Sequence, residues 1–541
     1  MSHAVFSIVT EVIPGHQDTL ERLLQRVEAD HRSNGIIDFS SFTGLHFSSI
    51  TLFRPEPAQH STAGATSLPA LLVFEHNVDG RWSDHLDALV AGAAPGLRQI
   101  YAHCRDAPAG TDDEALKRYL RKRVHRPNLH HVGTPYRRVD TVRADLDLRT
   151  FVEQQADRLE TDTRQELPKT VWNRLRVTVN PPDGGKEMSP NVNLQKGEVT
   201  WESRPEPRRL ERLCHWATFA AIFVLAVAAV AWGIATLWTH PVRLSVAFVA
   251  LFALFGVFTS VVIGWPVLSS ERTVPPGETF DETLRALLQS WRSTINICLW
   301  FAVVGWLMSL LPAALRLLGI HWSLGMPYAA AIPFAILTAA ILVFLVGQWS
   351  LPTPELDRPQ PEQTRLRQVT DQEDIRVINH MSAMVELRSG PFRSLLLRTL
   401  LWSLEKTWFH TVLPDVYKGR LFTFSTVHFA QWVMLGKGRY MFLSNYDHSF
   451  SRYLDDFGGI SFGLARLWGM GAHSPGLSNL ERFKDFARTW MTPHAVWYSA
   501  YPETAVTQVW NNEALRRGLL ADPDTVNHEE LLQRLVNAKD R

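Results

Sequence analysis

The stretch Leu72–Leu89, LVFEHNVDGRWSDHLDAL, is matched late in the chain by Met441–Phe457, MFLSNYDHSFSRYLDDF. In both, an apolar run ends in Asn, an Asp follows two residues later, and a Leu-Asp pair comes at the same distance beyond. An apolar, β-prone run that breaks into turn residues and then becomes periodic reads as a strand leading into a helix. The flanks repeat as well. TEVIPG (10–15) corresponds to VELRSG (385–390), and GLHFSSITLF (44–53) to STVHFAQWVML (425–435), with His46-Phe47 against His428-Phe429. GLRQIY (96–101) corresponds to GLARLW (463–468), and EALKRYLR (114–121) to ERFKDFAR (481–488). Pro135, Val139, Val142 and Leu148-Arg149 recur as Pro502, Val506, Val509 and Leu515-Arg516. From Asn77 through Arg149 the offset stays at 367 or 368 residues. Several matches in one order at one offset imply two copies of one fold.

The first copy reads as β-α-β-β-α. A strand over Val5–Ile13 closes on Pro14-Gly15, and a helix over Asp18–Ala29 carries Leu20, Leu23, Leu24 and Val27 on one face. Strands follow at Gly44–Phe53 and Leu71–Glu75, a helix at Ser83–Ala91, and a last short strand at Leu129–Val132. That is the ferredoxin-like order. The fold class expected is α+β, with ferredoxin-like units over 1–155 and 375–541.

Between the copies lie four apolar segments: Trp216–Trp238, Leu244–Leu268, Ile295–Leu311 and Met326–Trp349. Each is 17 to 25 residues long without Asp, Glu, Lys or Arg, the length a helix needs to cross a bilayer core. The region 213–350 therefore reads as four membrane spans, flanked by linkers at 156–212, with a strand expected at Leu175–Val179, and at 351–374. Ten arginines (204, 208, 209, 212, 272, 285, 292, 358, 365, 367) fall on one side of these spans and two, Arg243 and Arg316, on the other. The positive-inside rule then places both termini in the cytoplasm, at the inner membrane.

A net charge of +1 gives no general case for nucleic-acid binding, and three cysteines give no disulfide framework. Phosphate-loop, dinucleotide and serine-hydrolase motifs are absent. No H-x-x-x-H or C-x-x-C spacing predicts a metal site, and the adjacent His130 and His131 would point oppositely on a strand. The basic run Lys117, Arg118, Arg121, Lys122, Arg123, Arg126 fits either anionic lipid headgroups or pairing with Asp112, Asp113 and Glu114. Lipids are the expected partners, with a lipophilic small molecule as substrate or ligand.

On these residues the chain resembles the dimeric α/β barrel superfamily, two ferredoxin-like units fused in one polypeptide. The wording TVHFAQWVML, FLSNYDHSF, YLDDF and VWYSAYP also looks like an uncharacterised bacterial membrane-protein family. A more distant likeness is to the dye-decolourising peroxidases, which fuse two such units around haem. Their G-x-x-D-G motif is approached by His76-Asn77-Val78-Asp79-Gly80, which keeps Asp-Gly and lacks the first Gly. That likeness implies a haem-dependent oxidoreductase acting on a lipophilic substrate; the alternative is a non-catalytic membrane-bound sensor or scaffold. His380, His428 and His448 are the candidate haem ligands. Asp79, Asp447, Tyr446, Tyr498 and Tyr501 are the candidate catalytic groups. Of the residues in both copies, Asn77/Asn445, Asp79/Asp447 and Asp87/Asp455 also suit turns and helix starts, and His46/His428 suit strand positions bonding a partner backbone. The pocket is expected in the C-terminal copy, which alone adds His380, His448, Tyr446, Tyr498 and Tyr501, with Trp468 and Trp497 as walls.

Overall fold

The computed structural model describes residues 3–31, 34–54, 69–159, 168–179, 376–387, 425–435, 438–460, 480–521 and 527–536, with isolated positions at 213, 217, 394, 397–398, 401–402 and 405. The four segments read as membrane spans lie outside the described residues. Among those described, no helix is long and apolar enough to cross a membrane.

The fold is mixed α+β with two antiparallel sheets. The first half runs β1 (His3–Glu11), α1 (Gln17–Ala29), β2 (Leu45–Phe53), β3 (Leu71–Asp79), α2 (Trp82–Tyr101), α3 (Asp113–Arg121), β4 (Val124–His125), β5 (Leu129–Val132), α4 (Val139–Leu159) and α5 (Pro168–Val179). The second runs β6 (Ile378–Glu386), β7 (Val427–Leu435), β8 (Arg439–Asp447), α6 (Phe450–Ile460), α7 (Leu480–Trp490), β9 (Val496–Ser499), α8 (Val506–Leu520) and α9 (His528–Val536). One sheet has the order β4-β1-β3-β2-β9, the other β5-β7-β8-β6.

Side chains alternate along a strand, and here both faces are covered. Phe74 and Val78 of β3 join Leu20 and Leu24 of α1 and Leu86 and Leu97 of α2 in one core. Leu71 and Val73 point the other way, where they meet Val433, Leu435, Met441 and Leu443 of the second sheet. The two sheets thus face each other, and the polar residues that continue this inward row, Glu75, Asn77 and Asp79, lie between them.

Each half lends its last short strand to the other's sheet. β5 pairs with β7, Leu129 opposite Trp432, and β9 pairs with β2, Phe47 opposite Ser499. This corrects the expectation that Leu129–Val132 completes its own sheet; the two-residue β4 fills that edge, against β1. The helices that follow the exchanged strands, α4 and α8, cross each other with matched contacts. Arg149 donates to Asn512 Oδ1 at 3.1 Å, Arg516 bonds Asp145, and Leu148 and Leu515 share one buried cluster. Leu175–Val179, expected as a strand, is helical. Trp172 and Leu175 lie on one face of α5 and bury against Leu519 and Leu531, and that packing outweighs the β preference of Val177, Thr178 and Val179.

Several residues of the basic run, on α3 and just after it, have partners within the protein. Lys117 reaches Asp87 at 2.9 Å, Arg118 lies 3.9 Å from Asp112, and Arg123 covers the Tyr119 ring.

Candidate functional site

Two buried histidines stand where the ladders slip. The β2–β3 register shifts between Leu45 and Phe47, and the β7–β8 register between Val427 and Phe429. His46 and His428 are the extra residues. A bulge re-aims the side chain it displaces, and each ring finds an acid at the end of the neighbouring strand. His46 Nε2 lies 3.0 Å from Asp79 Oδ1, and His428 Nε2 lies 2.8 Å from Asp447 Oδ1. The backbone holds both bulges alike: Ala500 N–H donates to the His46 carbonyl at 2.8 Å and Gly133 N–H to the His428 carbonyl at 2.7 Å. Each donor follows an exchanged strand.

The acids do a second job with the other oxygen. Asp79 Oδ2 accepts from Val139 N at 3.1 Å, the first residue of α4. Asp447 Oδ2 accepts from Val506 N at 2.9 Å, the first residue of α8. A carboxylate at a helix N-terminus satisfies an amide that has no partner within the helix. The sequence reading placed these acids at turns and helix starts. The helices they start are not the next ones in the chain but those after the exchanged strands.

The two pairs differ in what surrounds them. Tyr501 donates its hydroxyl toward His46 Nδ1 at 2.7 Å, whereas His428 Nδ1 is buried and finds no hydrogen-bond partner among the described residues. His3, on the first residue of β1, lies 3.4 Å from Asp79 Oδ1 with its side chain 6% exposed. The matching position of the second half is Ile378, opposite Asp447 as His3 is opposite Asp79. Burial lowers the His46 pKa against the pull of Asp79 and keeps the ring neutral. Burial works to raise the Asp79 carboxyl, but the neighbouring His3 and His46 side chains outweigh it and hold it well below the usual carboxylate range. Burial and the Asp79 charge push the Tyr501 phenol well above its ordinary value, so it stays protonated. Ligand atoms of His3, His46 and Asp79 lie within 4.8 Å of one another, the one such group of three among the described residues with the chemistry to hold a metal ion.

One step further between the sheets, buried Glu75 accepts from Ser49 at 3.0 Å, Asn77 at 3.1 Å and, across the gap, Gln431 at 2.9 Å. His380 lies 3.6 Å from the same carboxylate, with Nδ1 on Asn445 Oδ1 at 3.1 Å and Nε2 on the Ser382 hydroxyl at 2.8 Å. Trp497 Nε1 donates to that same Asn445 oxygen at 3.0 Å.

Of the residues expected to form the site, Asp79, Asp447, His428, Tyr501 and His380 lie between the sheets. Tyr446, Tyr498 and His448 do not join them. Tyr446 stacks on Tyr453 and Tyr498 on Phe39, both on the helix-covered side. His448 sits exposed in the turn after β8 at φ 70°, the place Gly80 takes in the first half at φ 81°. The expected C-terminal pocket is instead a cluster drawn from both halves, and Trp468 lies outside the described residues. The residue missed was His3. It has no motif spacing to His46 or Asp79, and the expected strand began two residues after it.

A haem ligand must offer a free nitrogen to a space as wide as the macrocycle. His380 has both nitrogens engaged. His428 has one on Asp447, with Phe47 and Tyr501 rings at 5.2 and 6.0 Å. Neither fits haem in this arrangement. Comparisons with protein-family models, curated proteins and solved structures find no match to the chain.

Proposed function

We propose that the chain is a multi-pass inner-membrane protein in which two ferredoxin-like repeats close into one dimeric α/β barrel on the cytoplasmic side. We propose further that this barrel is a membrane-bound sensor or scaffold module, responding to a small ligand at its His–Asp end. The carrying observation is the double duty of the two acids: each holds a bulge histidine with one oxygen and the first amide of α4 or α8 with the other. Anything that draws on the His–Asp bond alters the anchor of a helix. α4 and α5 lead along the chain toward the apolar segments that begin near residue 213. The apolar lengths and the arginine asymmetry support the membrane part. A haem-dependent peroxidase-like oxidoreductase has less support, because both nitrogens of His380 and one of His428 bond protein partners, the His428 ring is closed in by Phe47 and Tyr501, and His448 sits exposed in a turn away from the cluster.

Three measurements test this. Purified full-length protein should show no Soret absorption; a stoichiometric haem spectrum would return the oxidoreductase reading. Asp79→Asn should speed hydrogen exchange at the start of α4 more than tenfold and leave the start of α8 unchanged, with Asp447→Asn doing the reverse. If neither helix responds, the acids do not couple site to helix. Reporter fusions before residue 213 and after 349 should both read cytoplasmic, and a periplasmic signal from either would reject the topology.

A further inference from the structure

We propose that His3, His46 and Asp79 bind one divalent first-row transition-metal ion, in the first half of the chain only. This names a ligand for the site proposed above, and the two ideas fail separately: one is read as bound metal, the other as helix exchange.

The spacing is that of a coordination shell. Metal bonds from imidazole nitrogen and carboxylate oxygen are about 2.0–2.2 Å. Two such ligands on one ion are then about 3.0 Å apart at a right angle and about 3.4 Å apart at a tetrahedral angle. The distance from His46 Nε2 to Asp79 Oδ1 is 3.0 Å, and from His3 Nδ1 to the same oxygen 3.4 Å. The third edge stays within 4.8 Å. Two imidazoles and one carboxylate are a donor set that suits iron, manganese, cobalt or zinc in the divalent state.

His3 supplies the independent sign of a ligand. Its side chain is 94% buried, from an exposure of 6%, and among the described residues neither ring nitrogen makes a hydrogen bond, Nδ1 standing 3.4 Å from Asp79 Oδ1. A buried polar group without a partner calls for an ion or water at that place. The outer shell is already built. With a metal on Nε2 of His46 the ring proton sits on Nδ1, which donates to the Tyr501 oxygen 2.7 Å away, and Val139 N–H holds the second oxygen of Asp79 at 3.1 Å. Such partners fix the tautomer and orientation of metal ligands. Phe429 from the opposite sheet closes the site, its ring 5.8 Å from His3 and 5.3 Å from His46.

The second half is the internal control. It has the bulge histidine His428 and the acid Asp447 but Ile378 in place of His3. Full-length protein in detergent, stripped with chelator, should take up one equivalent of Co²⁺, seen as visible d–d bands and as metal content, and Zn²⁺ should displace it. His3→Ile, which installs the residue the other half carries, should weaken Co²⁺ binding at least tenfold with unchanged far-ultraviolet circular dichroism. His428→Gln should leave it intact. Failure of the wild-type protein to bind Co²⁺ saturably overturns the proposal, as does binding that survives His3→Ile. If His3→Ile misfolds, the wild-type stoichiometry and the His428→Gln result still decide: two equivalents, or loss with His428→Gln, reject a site confined to the first half.

Discussion

The two halves of the chain share a skeleton and differ in what they put inside it. Both have a strand trio in the order one-three-two, a bulge histidine on the second strand, an acid at the end of the third, and a lent short strand followed by a helix that the acid anchors. The fillings diverge. His3 faces Asp79 where Ile378 faces Asp447; Glu75 takes the place of Leu443; the His76–His85 pair takes that of Ser444 and Tyr453; Gly133 takes that of Ala500. Shared residues mark what the architecture needs, and unshared ones mark what one half does alone. Most of the polar and titratable excess lies in the first half, although His380 and Tyr501 come from the second.

Gly133 and Ala500 give the sharpest test of that division, because they make the same backbone bond to the two bulge histidines. A Cβ on Gly133 would collide with the Val427 carbonyl oxygen, which is backbone and cannot swing away. Gly133→Ala should cost more than about 3 kcal/mol, above the usual range for overpacking, since the obstacle is not a side chain. Ala500→Gly should cost about 1 kcal/mol or less. Thermal unfolding of both variants in the same detergent checks this, and equal losses would show that the halves are closer in shape here than they look.

The acid response separates the halves next. His76 and His85 are buried side by side, His85 Nε2 to His76 Nδ1 at 3.3 Å. Burial lowers both, His85 to about 4 and His76 well below its ordinary value, with the neighbouring His85 lowering His76 further. An unfolded histidine takes up its proton near pH 6.5, so below that pH the unfolded chain binds more protons than the folded one. Stability is full above about pH 6.5 and falls as the pH drops toward 4, by about 3 kcal/mol for His85 alone. The double change His76→Ser with His85→Tyr installs the second half's pair, in which Tyr453 donates to the Ser444 hydroxyl at 3.1 Å. It should flatten the loss between pH 6.5 and 4. An unchanged acid slope would move the sensitivity to other groups.

The correspondence of particular residues between the two halves was legible in the sequence. The offset of 367 or 368 that pairs Asp79 with Asp447 also pairs Arg149 with Arg516, and these residues take matching places in the structure. The destination of Leu129–Val132 was not legible, because four residues, Leu-His-His-Val, can specify a short strand but not which free edge accepts it. Nor were the roles of His46 and His428, since a bulge is a property of two strands' register and leaves no mark on one. His3, His46 and Asp79 have no spacing that any motif records, and a short polar residue near a chain start reads as a strand end. Tyr446 and Tyr498 were misassigned for a simpler reason. Strand alternation sends them to the helix side, one residue out of phase with Asn445 and Trp497.

The smallest expected effect is at Tyr501. Its hydroxyl is the one difference between the rings of His46 and His428 that does not involve His3: the first has a partner on Nδ1, the second has none among the described residues. Tyr501→Phe removes that oxygen while keeping the ring that packs against Phe47 at 5.2 Å. A single hydrogen bond is worth about 1 kcal/mol net, and leaving a buried nitrogen without its partner sets the upper end at about 3 kcal/mol. Since His428 tolerates the same deprivation within the same fold, the loss should fall at the low end, about 1 kcal/mol, seen as a small drop in unfolding midpoint. The Asp79 bond to His46 does not depend on the phenol, so α4 should keep its slow exchange. A larger loss, or fast exchange at Val139, would mean that the phenol sets the ring's position rather than merely capping it. The two histidines would then be equivalent in sequence only.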